Sequence, residues 1–195
     1  MPQRQQVTVD VHVILERDGD ILLCLRQGTG YRDGWFCLPS GHLDDGETVI
    51  ECALRETREE VGVHLDLVTL RPATVLHHLN PEGKPRIGFF FATSHWAGDI
   101  INAEPHKCAA VEWFPAHRLP DNTVPYTIAG LDHYHRDQSI GVSGWPHHGN
   151  LTPSEGGRTG RGTWGSGIEG CAERRLDEPH QLTQQLPRRD PGPAS

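Results

Sequence analysis

The sequence has no apolar run long enough to cross a bilayer, no opening segment of signal-peptide character and no paired-cysteine motif. A membrane-spanning helix needs roughly 20 consecutive apolar residues, and no stretch of the 195 residues approaches that length. The opening segment, "MPQRQQVTVDVH", lacks the apolar core and the cleavage site of a signal peptide. The five cysteines are widely spaced without a C-x-x-C pair, which disfavours a disulfide framework and a zinc site. We therefore expect a reduced cytoplasmic protein that does not bind a membrane.

An excess of positive charge is also missing, since 18 Lys and Arg residues face 26 Asp and Glu residues, a net charge of −8. From Pro146 onward six acids are balanced by six arginines, so the whole −8 belongs to residues 1–145. Such an acidic domain repels the phosphates of a nucleic acid polymer. We expect no polymer partner, whereas a small phosphorylated ligand could bind through a divalent cation.

Residues 146–195 differ in composition from the rest of the chain. Gly and Pro supply 15 of these 50 residues, and apolar residues are sparse. A segment of this kind buries too little surface to offset the entropy lost on ordering. The sequence therefore predicts one domain over residues 1–145 and a disordered C-terminal tail over residues 146–195.

Alternation of apolar and polar residues indicates a sheet-rich domain with two helices. Residues 7–15 alternate as a strand, and residues 21–27 follow a turn as its hairpin partner. Further strands are predicted over residues 35–41, 65–79, 85–96 and 109–114, with a second amphipathic helix over residues 125–138.

The clearest helix follows Thr48, which forms a T-x-x-E capping box with Glu51; Gly62 is placed to end the helix in a left-handed cap. Three glutamates, at positions 56, 59 and 60, lie on one face at the border of its apolar stripe. Like charges at these spacings destabilise a helix by roughly 0.2–0.5 kcal/mol per pair. Two explanations stay open at this point, a solvated helix face and a bound cation.

The residues flanking this helix resemble the Nudix box, G-x5-E-x7-R-E-U-x-E-E-x-G-U with U an aliphatic residue. Thr57 departs mildly from the pattern, since it stands where an aliphatic residue is usual. Over residues 5–145 the chain resembles MutT-type members of the Nudix hydrolase superfamily. The resemblance implies an α/β fold, an α/β/α sandwich with a mixed β-sheet and a catalytic loop–helix–loop. All seven fixed positions of the box are met, by Gly41, Glu47, Arg55, Glu56, Glu59, Glu60 and Gly62.

The resemblance also implies roles for these residues. Magnesium, or manganese in its place, would be held by Glu56, Glu59 and Glu60. The carbonyl of Gly41 would add a further contact, and so would Glu104 of the "NAEPHK" loop, where His106 replaces an acid common in relatives. The residues implied in catalysis are Glu56, Glu59 and Arg55: Glu56 as general base or further ligand, and Arg55 as the ion-pair partner that orients the glutamates. Glu47 would brace the loop or contact the metal through a water molecule.

Substrate contacts are less specific in the sequence. Arg26 could reach a phosphate or be a rim charge, and Trp35 could stack on a base or pack in the core. Markers of the ADP-ribose and dinucleoside polyphosphate subfamilies are missing, and MutT-like relatives favour nucleoside triphosphates. We expect a monomer or homodimer that hydrolyses such a nucleotide to a monophosphate and pyrophosphate. The alternatives are a hydrolase of ADP-ribose or nucleotide sugars, a non-catalytic nucleotide-binding regulator and a prenyl diphosphate isomerase.

Overall fold

A ten-residue strand, β1 (Thr8–Arg17), organises the fold in the computed structural model, which describes residues 4–146. The predicted tail therefore lies, apart from Pro146, outside the described residues. The other strands are β2 (Asp20–Arg26), β3 (Phe36–Cys37), β4 (Ser40–His42), β5 (His64–Leu65), β6 (Arg71–Leu79), β7 (Pro85–Thr93), β8 (Trp96–Ala97), β9 (Cys108–Pro115) and β10 (Ile140–Ser143), and the helices are α1 (Val49–Val61) and α2 (Pro125–His135).

The main sheet is mixed and has eight strands, in the order β10-β6-β7-β1-β2-β3, with β4 added on β1 and β9 on β2. Strand β1 runs parallel to β7 and antiparallel to β2 and β4. The pair β6–β10 is also parallel, and β5 with β8 forms a separate two-stranded sheet. Because β1 pairs with β4 through Val11 and Gly41, the glycine at the start of the box is anchored to the centre of the sheet.

Two buried clusters lie on opposite faces of the sheet because successive side chains of a strand point to opposite sides. Val11 and Val13 of β1 pack in one cluster with Cys52 and Ala53 of α1. Ile14 packs in the other cluster, which contains residues of α2. Helix, sheet and helix thus form the three layers of the predicted sandwich.

Helix α1 has the caps that its sequence predicts. The Thr48 hydroxyl accepts from the Glu51 backbone N–H at 3.2 Å, and Glu51 Oε2 accepts from the Thr48 backbone N–H at 2.8 Å. Gly62 ends the helix with φ +76°, in the left-handed region that favours glycine. Thr57 is fully buried, and its hydroxyl donates to the Ala53 carbonyl oxygen at 2.7 Å, so a polar residue is accommodated at the aliphatic position of the box.

Several predicted strands are shorter than expected. The segment 35–41 divides at Pro39 into β3 and β4, and 65–79 divides at a turn that Asp66 closes by accepting from the backbone N–H of Val68. The segment 85–96 likewise divides into β7 and β8, and helix α2 ends at His135 rather than at residue 138. Strand β10 was not predicted, because its four residues follow a polar turn without a clear alternation. None of the helices in residues 4–146 combines the length and apolar character that crossing a membrane requires.

Candidate catalytic centre

Strand β4 lies so close to α1 that its backbone touches the glutamates of the helix. The backbone N–H of Ser40 donates to Glu60 Oε2 at 2.9 Å. A Cβ atom placed on Gly41 would lie 1.7 Å from Glu56 Oε1, so no larger residue fits there unless Glu56 moves. The loop and the helix thus bring Gly41, Glu56 and Glu60 together.

Arg55 connects the carboxylates of the box. Its Nε and Nη2 donate to the two oxygens of Glu47 at 2.7 and 2.9 Å, and Nη1 donates to Glu56 Oε1 at 2.6 Å and more weakly to Glu59 Oε2 at 3.4 Å. A further bond, from Nη2 to the carbonyl oxygen of His42 at 3.2 Å, ties the guanidinium to β4. These hydrogen bonds lower the pKa of Glu47 to about 2 and raise that of Arg55. Arg55 is therefore the positive centre around which the loop and the helix are ordered.

Two of the helix glutamates are harder to ionise than ordinary carboxyls. Burial raises the pKa of Glu60 to about 8; the backbone N–H of Ser40 opposes this rise, and the charges of Glu56 and Glu104 add to it. Part of the surface of Glu60 is exposed, but its carboxylate is enclosed by protein. Loss of water around the carboxylate is therefore the largest cause of the raised pKa. Burial also raises the pKa of Glu56, against the hydrogen bond from Arg55. A carboxylate cluster of this kind gains from a nearby cation.

The loop before β9 adds Glu104 to this region. Its charge acts on Glu56 and Glu60, which places its carboxylate within electrostatic reach of both. Lys107 Nζ lies 2.8 Å from Glu104 Oε1 and holds that side chain. Glu104 is therefore the residue of this loop that lies near the carboxylate cluster, whereas His106 is exposed.

The donor set fits a hard divalent cation. Its members are carboxylate oxygens and the carbonyl of Gly41, the ligand types that magnesium prefers. The carboxylates of Glu47, Glu56, Glu59, Glu60 and Glu104 outnumber the cationic groups that touch them, Arg55 and Lys107. Within residues 4–146 no three His, Cys, Asp or Glu side chains are already gathered as a metal-ligand cluster. A cation at this centre would therefore share Glu56 and Glu59 with Arg55.

The two predicted substrate residues lie beside the loop of residues 27–34. Arg26 donates to the carbonyl oxygen of Tyr31 at 2.8 Å and to the hydroxyl of Thr29 at 3.0 Å, so its guanidinium orders this loop. Trp35 is half-buried against the core under α1, and the guanidinium of Arg32 lies 4.7 Å from the centre of its ring. Arg32, which the sequence did not single out, is thus the basic residue next to Trp35.

A polar network on the other face of the sheet was also missed from the sequence. Arg86 Nε donates to the buried carboxylate of Asp10 at 2.6 Å, and Nη2 lies 2.7 Å from His42 Nε2. The imidazole of His42 and the carbonyl of the same residue therefore link the Asp10–Arg86 pair to Arg55. Local sequence patterns could not reveal this network, because Asp10, His42 and Arg86 lie 32 to 76 residues apart in the sequence.

Residues 4–132, more than half of the 195-residue chain, match the family described as the NUDIX domain. The chain belongs to the Nudix family. Every residue of the centre, from Gly41 to Glu104, lies inside the matched range, and the Nudix box provides most of its polar groups. The family resemblance seen in the sequence is thereby confirmed.

Three relatives illustrate the range of Nudix proteins that the chain resembles. The human 8-oxo-dGDP phosphatase NUDT18 is 27% identical over 110 residues, which cover 55% of this chain and 32% of the relative. The ADP-ribose pyrophosphatase of Methanocaldococcus jannaschii is 32% identical over 115 residues, covering 57% and 64%. The 8-oxo-dGTP diphosphatase of Proteus vulgaris is 27% identical over 100 residues, covering 51% and 87%. The chain thus spans less than two thirds of the length of the first two.

Solved structures confirm the Nudix fold. The crystal structure of a MutT NUDIX hydrolase from Burkholderia pseudomallei superposes with a TM-score of 0.61 at 27% identity, covering 66% of this chain and 98% of that one. A MutT protein from Methanosarcina mazei superposes with a TM-score of 0.60 at 18% identity, which supports the fold alone.

Proposed function

We propose that this Nudix protein is a divalent-metal-dependent pyrophosphohydrolase that converts a nucleoside triphosphate to a nucleoside monophosphate and pyrophosphate. The observation that carries the proposal is the set of ion pairs around Arg55, which orders Glu47, Glu56 and Glu59 beside Gly41. Because every glutamate of the box is present, we favour hydrolysis over a non-catalytic regulatory role. The catalytic domain in this proposal is residues 1–145.

The residues proposed to hold the cation are Glu59, Glu60, Glu104 and the carbonyl of Gly41, with Glu56 as a further ligand if it is not the general base. Magnesium is the first choice, with manganese as the alternative, because all five donors are oxygens. When bound, such an ion would neutralise phosphate charge and make a bound water more acidic. The enclosed carboxylate of Glu60 supports this assignment, since its ionised form lacks water and gains from a positive partner.

Glu56 is the proposed general base, with one carboxylate oxygen accepting the proton of the attacking water. Its raised pKa makes it a stronger base than an ordinary glutamate. Arg55 Nη1, 2.6 Å from Glu56 Oε1, fixes the orientation of this carboxylate and leaves Oε2 for the proton. Glu59 is nearly half exposed, so its side chain is free to turn toward a ligand.

The nucleoside is proposed to bind next to the loop of residues 27–34. Trp35 contributes an aromatic plane and Arg32 a positive charge beside it, while Arg26 fixes the loop and places positive charge near Glu60. A cleft of about 530 Å³ also opens between this loop and the β6–β7 turn, which is within the size range of small-molecule sites. Its aromatic and imidazole lining supports a ring-containing ligand: Tyr31, His78 and Tyr126.

A second substrate class has support of its own. The relative with the highest identity among the three described above is named an ADP-ribose pyrophosphatase. ADP-ribose and nucleotide sugars contain the same diphosphate bond, so the same centre could act on them. Inactivity on triphosphates together with turnover of ADP-ribose would select this alternative. The absence of a nucleic acid polymer partner stays a prediction from the net charge of −8.

The test is a panel of nucleoside triphosphates, ADP-ribose and nucleotide sugars, assayed with the full-length chain with and without magnesium. For the proposed reaction, anion-exchange chromatography detects a nucleoside monophosphate and pyrophosphate, and a chelator abolishes the reaction. In oxygen-18 water the label enters the phosphate of one product. Orthophosphate released from the terminal position, or turnover that persists in chelator, would contradict the proposal.

A further inference from the structure

Strand β4 contacts the catalytic centre through its backbone, although it is only three residues long. The N–H of Ser40 donates to Glu60 Oε2 at 2.9 Å. The carbonyl oxygen of His42 accepts from Arg55 Nη2 at 3.2 Å. A shift of β4 would therefore move both of these contacts, together with the carbonyl of Gly41 that lies between them in the strand.

Three side chains on the other face of the sheet hold β4 in place. We call them the clasp: Arg86 of β7, Asp10 of β1 and His42 of β4. Arg86 Nε donates to Asp10 Oδ2 at 2.6 Å, and Nη2 donates to Oδ1 of the same carboxylate. Nη2 also lies 2.7 Å from His42 Nε2. Because a guanidinium has donors only, this imidazole nitrogen is the acceptor. The clasp thus joins three neighbouring strands.

The members of the clasp differ in exposure, which shows how each one contributes. Only 4% of Asp10 is exposed, whereas the side chains of Arg86 and His42 are 26% and 67% exposed. Removing one partner of a buried ion pair costs about 3–5 kcal/mol, so Asp10 keeps Arg86 in a fixed position. Arg86 in turn presents a fixed donor to the imidazole. Since that imidazole is mostly exposed, its removal separates positioning from stability.

We infer that Asp10, Arg86 and His42 are positioning residues of the catalytic centre. Their side chains fix β4 from the α2 face of the sheet, and the backbone of the same strand contacts Glu60 and Arg55 on the α1 face. None of the three is a fixed position of the Nudix box. The inference rests on the proposed function, because the groups that it positions are those of the proposed hydrolysis. Opening the clasp should lower kcat and leave KM unchanged, since it disturbs the reacting groups rather than substrate binding.

His42→Ala is the decisive variant, because it opens the clasp and leaves the buried Asp10–Arg86 pair intact. With the substrate identified in the panel, kcat should fall by roughly tenfold, since small displacements of catalytic groups are costly. KM and the melting temperature should stay close to those of the unsubstituted chain. His42→Gln, whose side-chain oxygen can accept from Arg86, should restore most of kcat. His64→Ala, which removes an exposed histidine of β5, is the matched control.

A double-mutant cycle tests the connection between Arg86 and His42. Arg86→Lys keeps a positive charge beside Asp10 but replaces the planar fork of donors by one ammonium group. It should lower kcat about as much as His42→Ala, and the double variant should lower it no further, because both substitutions open the same clasp. Losses that add would overturn the inference. If a melting curve shows that Arg86→Lys does not fold, the His42 variants decide alone.

Hydrogen exchange gives a readout that does not depend on turnover. It is measured by NMR on the nitrogen-15-labelled full-length chain. The N–H of Ser40, which donates to Glu60, should lose protection in His42→Ala and regain it in His42→Gln. The N–H of Val75, which donates to the carbonyl oxygen of Ser139 at 3.0 Å, is the reference and should keep its protection in both variants.

These measurements separate the inference from the proposed function. If the panel yields no hydrolysis, the proposed function fails, and the exchange of the Ser40 N–H decides whether the clasp positions β4. Unchanged exchange of this N–H in His42→Ala would overturn the inference, and so would an unchanged kcat. A raised KM with an unchanged kcat would also overturn it, because His42 would then contact the substrate instead of positioning β4.

Discussion

Helices α1 and α2 cover opposite faces of one sheet, but the polar groups beside α1 have more hydrogen-bond and ion-pair partners than those beside α2. Helix α1 is capped by side-chain hydrogen bonds at its start, and Arg55 forms ion pairs with four surrounding carboxylates, those of Asp44, Glu47, Glu56 and Glu59. Helix α2 starts at Pro125 without a side-chain cap. Within the described residues, both ring nitrogens of His12 on that face are buried without a hydrogen-bond partner.

This difference between the two faces predicts that substitutions among the carboxylates beside α1 change turnover and that substitution of His12 beside α2 changes stability. The carboxylates on the α1 face are paired but still crowded, and a cation in the proposed site would relieve their repulsion, so substitutions there should alter turnover. An unpaired buried polar group costs about 1–3 kcal/mol, so changes at the buried His12 on the α2 face should affect stability instead. The following substitutions test this division.

The largest effect is expected for Glu59→Gln and Glu60→Gln. Glu59→Gln removes one charge at nearly constant volume, and Glu60→Gln removes a carboxyl that a cation in the proposed site would keep ionised. Each should lower turnover by about two orders of magnitude or more, in the range for lost electrostatic stabilisation. The fold should persist, because neither substitution changes the side-chain volume appreciably. Initial rates and melting temperatures measure both effects. Glu82→Gln, in the exposed β6–β7 turn, is the matched control. Turnover within a few-fold of the unsubstituted chain for both variants would rule out their assignment as ligands.

A smaller loss is expected for Gly41→Ala. The added Cβ would lie 1.7 Å from Glu56 Oε1, so this carboxylate must move. We expect turnover to fall about tenfold or more, because a misplaced base loses its alignment with substrate. Ser40→Ala is the control, since Ser40 contacts Glu60 through its backbone N–H alone. Equal rates for the two variants would contradict a role of Glu56 in the reaction.

On the α2 face, His12→Phe should change the pH dependence of stability and leave turnover at neutral pH unchanged. Burial lowers the pKa of His12 to about 4, against an ordinary value of 6.5, with Asp10 opposing the shift and Arg86, His42 and His78 adding to it. Between these values the unfolded chain binds a proton that the folded chain excludes. Stability contributed by neutral His12 is therefore lost as pH falls from about 6.5 to about 4.

Phenylalanine retains the ring stacked on Phe90, at 4.4 Å between centroids, and cannot bind that proton. Melting temperatures of the two proteins measured across this pH range should therefore diverge, with the variant falling less. Parallel curves would show that His12 is not buried in its neutral form.

The smallest effect is expected for Thr48→Ala, which removes the cap of α1. The loss should be about 1 kcal/mol of unfolding free energy, as for other side-chain caps, measured by denaturant titration. Glu51→Ala alone and together with Thr48→Ala completes a double-mutant cycle. Because both residues form one capping box, their losses should not add. Additive losses would mean that the two hydrogen bonds are independent.

The parts of the fold that were predictable from sequence depend on near neighbours in the chain. The capping box, the end at Gly62 and the face shared by the glutamates all lie within one helix and its flanks. The division of residues 65–79 was missed because the turn at Asp66 looks like a strand in its apolar content. Contacts such as Asp10 with Arg86, 76 residues apart, depend on strand register, which local patterns do not contain.

The candidate site shows the same limit. Motif spacing predicted the residues of the box, and the structure brings them together with Glu104. Motif spacing could not predict that the guanidinium of Arg26 would donate its hydrogen bonds to the loop of residues 27–34. Those bonds depend on how this loop folds back toward β2. Nor could the motif spacing reveal that Cys24, Cys37 and Cys108 pack in one buried cluster, since they come from three strands that meet only in the folded sheet.

The hydrogen bonds of Arg55 would also affect how the proposed site takes up a metal ion. Its guanidinium acts as a tethered counter-ion for Glu47 and Glu56, so the centre without a metal is already partly neutralised. A divalent ion at the proposed site would then share Glu56 with this built-in partner rather than fill an unpaired negative site. Metal uptake would in this sense be a competition between the positive charge of Arg55, which is part of the chain, and that of an ion from solution. Chelated protein should therefore keep an ordered loop and helix, ready to take up the ion again.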